Sequence, residues 1–462
     1  MYRFTYNKED FDENNIIKKD VYDLILKHQS MKEKILRNKA YYNGKHDIEN
    51  RVRASGAPNN RIMCNHAKDI SDTASGYFMG NPITYENTGK ADIEPLLVAF
   101  DKANIDDTDS DLSLDLSIDG VAYEYLYVKE KETNIQSKTL PAENAFMVRD
   151  NTIEENELFG VYYWVKKDDK RYKRRFVATV MTQNYIYDMV IIGLGDGGTL
   201  DKKKQHRFGD IPLIEYQNNK YGIGDFEQQI PLIDAYNTLM SDRINDKEQF
   251  IDALLVLYGA ALGDDEEETE KAAKILREDK LLELPEDAKA EYLSRSMDEN
   301  GVEVLRKAIK EDIYTFSHVP NLTDDNFAGN SSGVAMEYKL LGLEMVTKIK
   351  TRYYKAGLRK RIKLFCHYLG LKNIIVEADS IVPSFARTLP KNLLELSQII
   401  NNLESTISKR SLVKLLPFVE DPDAELEAAG EENKRRLLTE RELFGNIPPV
   451  TDEPESEADN GE

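Results

Sequence analysis

The alternation of apolar and polar positions changes character three times along the chain. Residues 1–15 are polar and read as a loose arm. From Asn15 to about Tyr42, Ile17, Val21, Leu24, Ile25, Met31 and Ile35 recur at steps of three and four, with His28 on the same face. That spacing predicts one helix, closed by Asn43-Gly44. Residues 59–85 predict a short helix, a turn at Gly80-Asn81-Pro82 and a strand, and Asp92 to Asn104 a further helix. Between 119 and 190 the period drops to two. Five runs (119–130, 144–150, 158–167, 174–182 and 184–190), three of them rich in tyrosine and all separated by turn residues, predict strands with half-buried faces.

After Ile211 to Gln217 the helical period returns and the segments lengthen. Asp225 and Gln228 have capping-box spacing. Phe226, Ile230, Ile233, Met240, Ile244, Ile251 and Leu254 follow as an apolar stripe, with Lys247 as its one intruder. A helix over 226–252 would be about 40 Å long. Pro231 lies too far inside it for a free first-turn position and predicts a kink or a delayed start. Residues 253–297 form a small insert: a β-like run, an acidic helix, and short strands at 280–285 and 290–294. A second helix over 299–316 carries Val302, Leu305, Ile309 and Ile313 on one face. A polar Gly/Asn/Asp/Ser loop occupies 320–333. The longest helical pattern, 334–369, is basic in its second half. A strand at 373–379, helices near 391–404, 408–416 and 422–444, and an acidic tail from Pro448 that reads as disordered complete the chain.

With 462 residues the chain has length for two to four domains. No apolar run approaches the roughly 20 residues of a membrane span, so no membrane partner is expected. The N-terminus has no basic stretch followed by an apolar one, so no secretory signal is expected. Cys64 and Cys366 have no CxxC partner and read as packing thiols of a reducing compartment. The net charge of −21 argues against tight wrapping of nucleic acid, which needs a basic face, while leaving room for a local basic stripe. It permits guiding a polyanion through few contacts.

Motifs that look catalytic dissolve on inspection. Gly193, Gly195 and Gly198 satisfy GxGxxG, but a dinucleotide site needs a helix to start there, and TLDKKKQHRFGD does not read as one. A hairpin loop is expected. The acids Asp264, Asp265, Glu266, Glu267 and Glu268 point in several directions on a helix, so a well-capped helix start is favoured over a divalent-cation site. Asp324 and Asp325 could serve a metal-dependent nuclease only with further ligands. The six histidines form no HxxxH pair, and no metal or cofactor is expected. The basic run 348–363 is either a solvated helix face or a phosphate contact.

Several segments in order resemble the phage portal family of the SPP1 type. They are 59–87 (NNRIMCNHAKDISDTASGYFMGNPITYEN), 115–128, 150–164, 206–237, 245–259, 329–344 (GNSSGVAMEYKLLGLE), and FARTLPKNLLEL with LPFVEDPDAELE beyond it. The resemblance spans roughly residues 20–430. It implies an α+β portal fold: an N-terminal arm and mixed α/β wing at 1–225, a two-helix stem at 226–252 and 298–319, and a small α/β clip at 253–297. It further implies a tunnel loop at 320–333, a long wing helix and strand at 334–386, and a helical crown at 387–446. Pro231 and a short crown depart from the pattern.

The implied role is mechanical and not enzymatic. A homo-oligomeric ring, expected to be a dodecamer, would conduct double-stranded DNA at the capsid portal vertex of a virion, after assembly in the host cytoplasm. The implied partners are a terminase, a head-completion connector, scaffold and the major capsid protein. Asn321, Asp324, Asp325, Asn326, Gly329, Asn330, Ser331 and Ser332 would line the constriction, where short neutral groups touch a moving backbone without a salt-like grip. Lys307 and Lys310, on the polar face of the second stem helix, are channel-facing candidates. Asp264, Asp265, Glu266, Glu267 and Lys274 would be docking residues of the clip. A nuclease and a non-channel virion adaptor are the competing readings.

Overall fold

The computed structural model describes residues 3–54, 57–90, 92–166, 175–192, 200–251, 254–258, 265–278, 288–293, 299–322, 333–387, 393–416, 419 and 422–444. The chain divides into two compact units: Met1–Ala328 with Lys339–Thr388, and Gly329–Tyr338 with Leu389–Glu462.

The first unit opens with β1 (Phe4–Tyr6), which corrects the expectation of a loose arm. β1 pairs in parallel with β5, and Phe4 is buried against Phe146. Three residues suffice because Phe4 fills an apolar slot, which the surrounding polar sequence conceals. The predicted first helix is two, α1 (Lys18–Met31) and α2 (Glu33–Tyr42), interrupted only at Lys32. Its N–H still reaches the His28 carbonyl, so the apolar stripe is preserved. α3 (His66–Met79) starts at Asn65, whose side chain accepts the Lys68 N–H. β2 (Thr84–Asn87) and α4 (Glu94–Lys102) follow as predicted.

α5 (Ile105–Asp119) was not predicted. Its sequence, IDDTDSDLSLDLSID, hides the period because buried Thr108, Asp109, Ser113 and Asp119 occupy the inner face beside Leu112 and Leu116. Gly120 closes it in the left-handed region at φ 78°. A Cβ there would run into the Gly222 carbonyl.

The strands β3 (Val121–Val128), β4 (Ile135–Leu140), β5 (Ala145–Asp150), β6 (Glu157–Val165), β7 (Arg175–Met181), β8 (Tyr185–Ile192), β9 (Leu200–Gln205) and β10 (Leu213–Gln217) form two sheets. One has the order β1-β5-β6-β7-β8-β9 and the other β10-β3-β4. β8 and β9 are antiparallel and flank the Gly193 motif, so the residues after it form a strand where a dinucleotide site requires a helix.

α6 (Ile230–Ile251) follows a 3-10 turn at Glu227–Gln229. Pro231 therefore falls in the first helical turn, where its missing N–H costs little, and the predicted outcome is a delayed start. The capping box is not formed. Asp225 instead accepts from Lys350 Nζ at 2.7 Å and Asn218 Nδ2 at 2.8 Å. In the insert, β11 (Leu254–Tyr258) pairs antiparallel with β12 (Lys289–Leu293), and α7 (Glu266–Glu278) lies between them in sequence. The strand expected at 280–285 lies outside the described residues. α8 (Glu299–Ser317) packs on α6, and α9 (Gly333–Gly370) is the longest helix described. The strand expected at 373–379 is displaced. Residues 373–377 are irregular and β13 (Ile381–Ser384) pairs with β2 instead, in a two-stranded ladder whose edges tolerate Pro383.

The main core joins α3, α4, α5, the three-stranded sheet and α9 through Phe78, Phe100, Leu112, Leu126, Tyr216, Tyr354 and Phe365. A second core lies between α1 and the six-stranded sheet. Inside the first, Arg361 is fully buried. It meets Asp109 at 2.7 Å and both oxygens of Glu124 at 2.9 and 3.1 Å. Tyr354 donates to Asp109 at 2.5 Å and Tyr216 to Glu124 at 2.6 Å.

The second unit contains α10 (Leu393–Leu403), α11 (Lys409–Val413) and α12 (Pro422–Phe444). Ser408 caps α11, and Arg410 bridges to Asp423 at 2.6 Å.

Candidate nucleic-acid interface

Helices α6 and α8 are joined by a ladder of ion pairs along their length. Arg243 reaches Glu299 at 2.9 Å and Glu303 at 2.9 Å, and Lys247 reaches Glu299 at 2.9 Å. Lys247, the apparent intruder in the apolar stripe, is thus a rung between helices. Arg306 bonds Glu303 at 2.6 Å and the Tyr236 hydroxyl at 3.0 Å. Hydrogen bonds from Arg306 and Arg243 hold the Glu303 carboxyl down at about 2.

The other side of α6 is polar and buried, which the sequence reading missed. Asn237, Ser241 and Asn245 are fully buried at four-residue spacing. Their side-chain oxygens accept the backbone N–H groups of Cys64 (2.8 Å), Ile62 (2.9 Å) and Asn60 (2.7 Å). Residues 60–64 therefore lie extended and antiparallel along the helix, held through every second amide. Arg51 and Arg53 both reach Asp242 beside this strap. The signal was available as Asn-x-x-x-Ser-x-x-x-Asn on one helix face.

At its C-terminus α8 ends on Ser317. His318 takes the left-handed conformation at φ 58° and Pro320 follows, a terminator that turns the chain sharply. A cleft of about 570 Å³ opens here, lined by Arg306, Lys307, Lys310, Glu311, Tyr314, His318 and Asn321, with Lys339 and Gly342 from α9. Glu311 is the one acid among these. In a chain of net charge −21, Lys307, Lys310 and Lys339 converge on one concave surface, with Arg306 already committed to Glu303 and Tyr236. Tyr314 supports it: its hydroxyl donates to Asp69 at 2.6 Å and lies 3.2 Å from His66 Nδ1. Burial, reinforced by Lys310, pushes His66 down to about 4, so it is neutral at pH 7 and adds no charge to the cleft. Such a surface attracts phosphate oxygens.

The basic run on α9 splits by direction. Lys350 is buried against Asp225, Arg361 against Asp109 and Glu124, and Lys360 bonds Glu157 and the Leu213 carbonyl. Lys348, Arg352, Arg359 and Lys363 remain on the exposed face. The patch is thus part core, part surface.

Of the residues expected at a channel, the structure brings Lys307, Lys310 and Asn321 into the same cleft. Asp324, Asp325, Asn326, Gly329, Asn330, Ser331 and Ser332 lie outside the described residues. Arg306, His318 and Lys339 were missed. Arg306 is legible only as the residue four before Lys310, and Lys339 lies on another helix. In the insert, Asp264 lies outside the described residues. Asp265 caps α7 by accepting the Glu268 N–H at 2.8 Å, Glu267 pairs with Lys271 at 2.9 Å, and Glu266 and Lys274 are exposed. No cluster of three metal-ligating side chains occurs among the described residues, and no described helix is long and apolar enough to cross a membrane.

The family described as "Phage portal protein, SPP1 Gp6-like" matches residues 23–437. The chain belongs to this portal family. The portal protein of Bacillus phage SPP1 is 23% identical over 443 residues, covering 90% of this chain and 86% of that protein. The portal protein of Clostridium phage phiCD119 is 21% identical over 457 residues, covering 90% and 96%. Among solved structures, a chain from the neck of a native GTA particle computed with C12 symmetry superposes with a TM-score of 0.47 at 10% identity, covering 76% of this chain and 89% of that one. A chain from the neck of an empty GTA particle computed with C6 symmetry gives 0.46 at 11%, with the same coverage. Portal proteins are structural and not catalytic, which removes the nuclease alternative for this portal chain.

Proposed function

We propose that copies of this chain form a ring at a capsid vertex of the virion whose axial channel conducts double-stranded DNA during packaging and ejection. Helices α6 and α8 are the stem, residues 253–297 the clip that docks the terminase and the head-completion connector, and 320–333 the tunnel loop. Residues 1–225 and 334–386 are the wing, turned toward scaffold and capsid protein, and 387–446 the crown. The observation that carries this reading is the cationic cleft of Lys307, Lys310 and Lys339, set directly before a loop of short polar residues that holds no Lys or Arg, in an acidic chain. A few cations attract the phosphate backbone, and a loop without cations lets it slide.

Negative-stain images of the purified full chain test the ring: particles with a central hole are expected. Packaging assays test the passage. Asn326→Lys or Asn330→Lys is expected to slow packaging while rings still form, and Lys307→Ala with Lys310→Ala to lower the salt dependence of duplex binding by about two in log–log slope for each engaged subunit. A chain that stays a single subunit under all assembly conditions would overturn the proposal.

A further inference from the structure

Two helix faces of the first unit are left uncovered, and their chemistry differs in sign. On α8, Leu305 is 50% exposed, Val304 69% and Phe316 61%. At 100° per residue these lie on one face of about 120°, with exposed Asp312 in its middle and exposed Glu311 at its rim. On α9, Leu341 is 50% exposed, Met345 61% and Ile349 46%. Their four-residue spacing makes a ladder that also carries exposed Lys348 and Arg352 and runs on into Arg359 and Lys363. Each face is thus an apolar strip with embedded charge, acidic on α8 and basic on α9.

We infer that the α8 face of one copy packs against the α9 face of the next. The occupant is a second copy of this chain because the two strips complement each other in charge while each would repel itself. Asp312 meets Asp312 in a like-to-like contact, and Lys348 meets Lys348. Association between unlike faces is heterologous and propagates from copy to copy, so it closes into a ring when the rotation permits. The inference rests on the ring reading above and names the surfaces that would build it.

Cysteine pairing tests it in the full chain with Cys64→Ser and Cys366→Ala. Leu305→Cys and Met345→Cys, made separately and mixed under mild oxidation, are expected to yield a disulfide-linked dimer that neither yields alone. The double variant is expected to yield a covalent ladder. Asp312→Lys and Lys348→Asp are each expected to weaken assembly at least tenfold by light scattering, and to restore it when combined. All four positions are exposed, so thermal melting is expected to match that of the unaltered chain. Rings without the 305–345 crosslink, or crosslinks of 305 to 305, would overturn the pairing and leave the ring reading intact. An unaltered chain that never assembles would overturn the ring reading, and the pairing with it.

Discussion

Replacing Arg361 by Met isolates a fully buried ion-pair cluster in the main core. The guanidinium lies 2.7 Å from Asp109 and 2.9–3.1 Å from Glu124, and all three side chains are between 0% and 2% exposed. Met fills similar volume, so the change removes charge with little cavity. Two carboxyls are then left facing each other in an apolar site. Breaking a buried pair in this way costs roughly 3–5 kcal/mol. For a unit of this size, that corresponds to a fall in Tm of about 4–6 °C. The pH dependence is diagnostic. Burial already raises the Asp109 carboxyl above its ordinary range against the pull of Arg361. Without the guanidinium, the Asp109 carboxyl rises further. A carboxyl with a raised folded pKa binds a proton in the native state that the unfolded chain releases, so its stability contribution is lost as pH increases. The deficit should therefore be smaller at pH 5 than at pH 7, changing by about 1.4 kcal/mol per pH unit for each retained proton. Far-UV dichroism melts at both pH values measure it, and adding Asp109→Asn with Glu124→Gln should recover more than half of the loss. A deficit below about 1 kcal/mol, or one equal at pH 5 and pH 7, would refute the assignment of Arg361 as the charge that makes this core possible.

Asn237→Ala removes the acceptor of the Cys64 N–H and the 2.9 Å contact with His46 Nδ1; a loss of about 2–3 kcal/mol in urea unfolding is expected, with faster hydrogen exchange confined to residues 60–64. His28 is buried, 2.8 Å from the Tyr163 hydroxyl, and burial pushes it down to about 4. Its folded pKa lies below the unfolded one, so the unfolded chain gains a proton first and stability falls as pH drops from 6.5 towards 4, by up to about 3 kcal/mol. His28→Gln should flatten that portion of the stability–pH curve. Gly120→Ala forces a side chain into the Gly222 carbonyl at φ 78°, and a loss above about 2 kcal/mol in the same unfolding assay is expected.

The sheet strands and the long helices were legible because their period is unbroken: β5 to β8, α6, α8 and α9 stand where alternation or three-four spacing puts them. What escaped was polar. α5 buries Asp109 because Arg361, 252 positions later in a helix, meets it, and no local window contains both residues. The capping-box spacing at Asp225 misled because the carboxylate serves Lys350, far along the chain, instead of its own helix. β1 was hidden by its length. The strap over 60–64 uses backbone donors, which sequence does not display. Of the candidate site, Lys307 and Lys310 were visible as a polar face, whereas the convergence with Lys339 needed the turn at His318. The tunnel-loop and clip roles came from resemblance, not from periodicity.

The strap along α6 also sets its own length. Four helical residues advance about 6.0 Å and two extended ones about 6.4–6.8 Å, so each successive rung slips by roughly half an ångström, and three rungs come close to exhausting the tolerance of a hydrogen bond. The chain halts where the mismatch would tell: the next donor position is Pro58, which has no N–H, and the preceding helix position is apolar Ile233. Two repeats of unequal pitch thus act as a vernier, fixing one lengthwise alignment of segment and helix, because a slide by a single residue would swing the donors to the far side and leave all three side chains facing carbonyls or nothing.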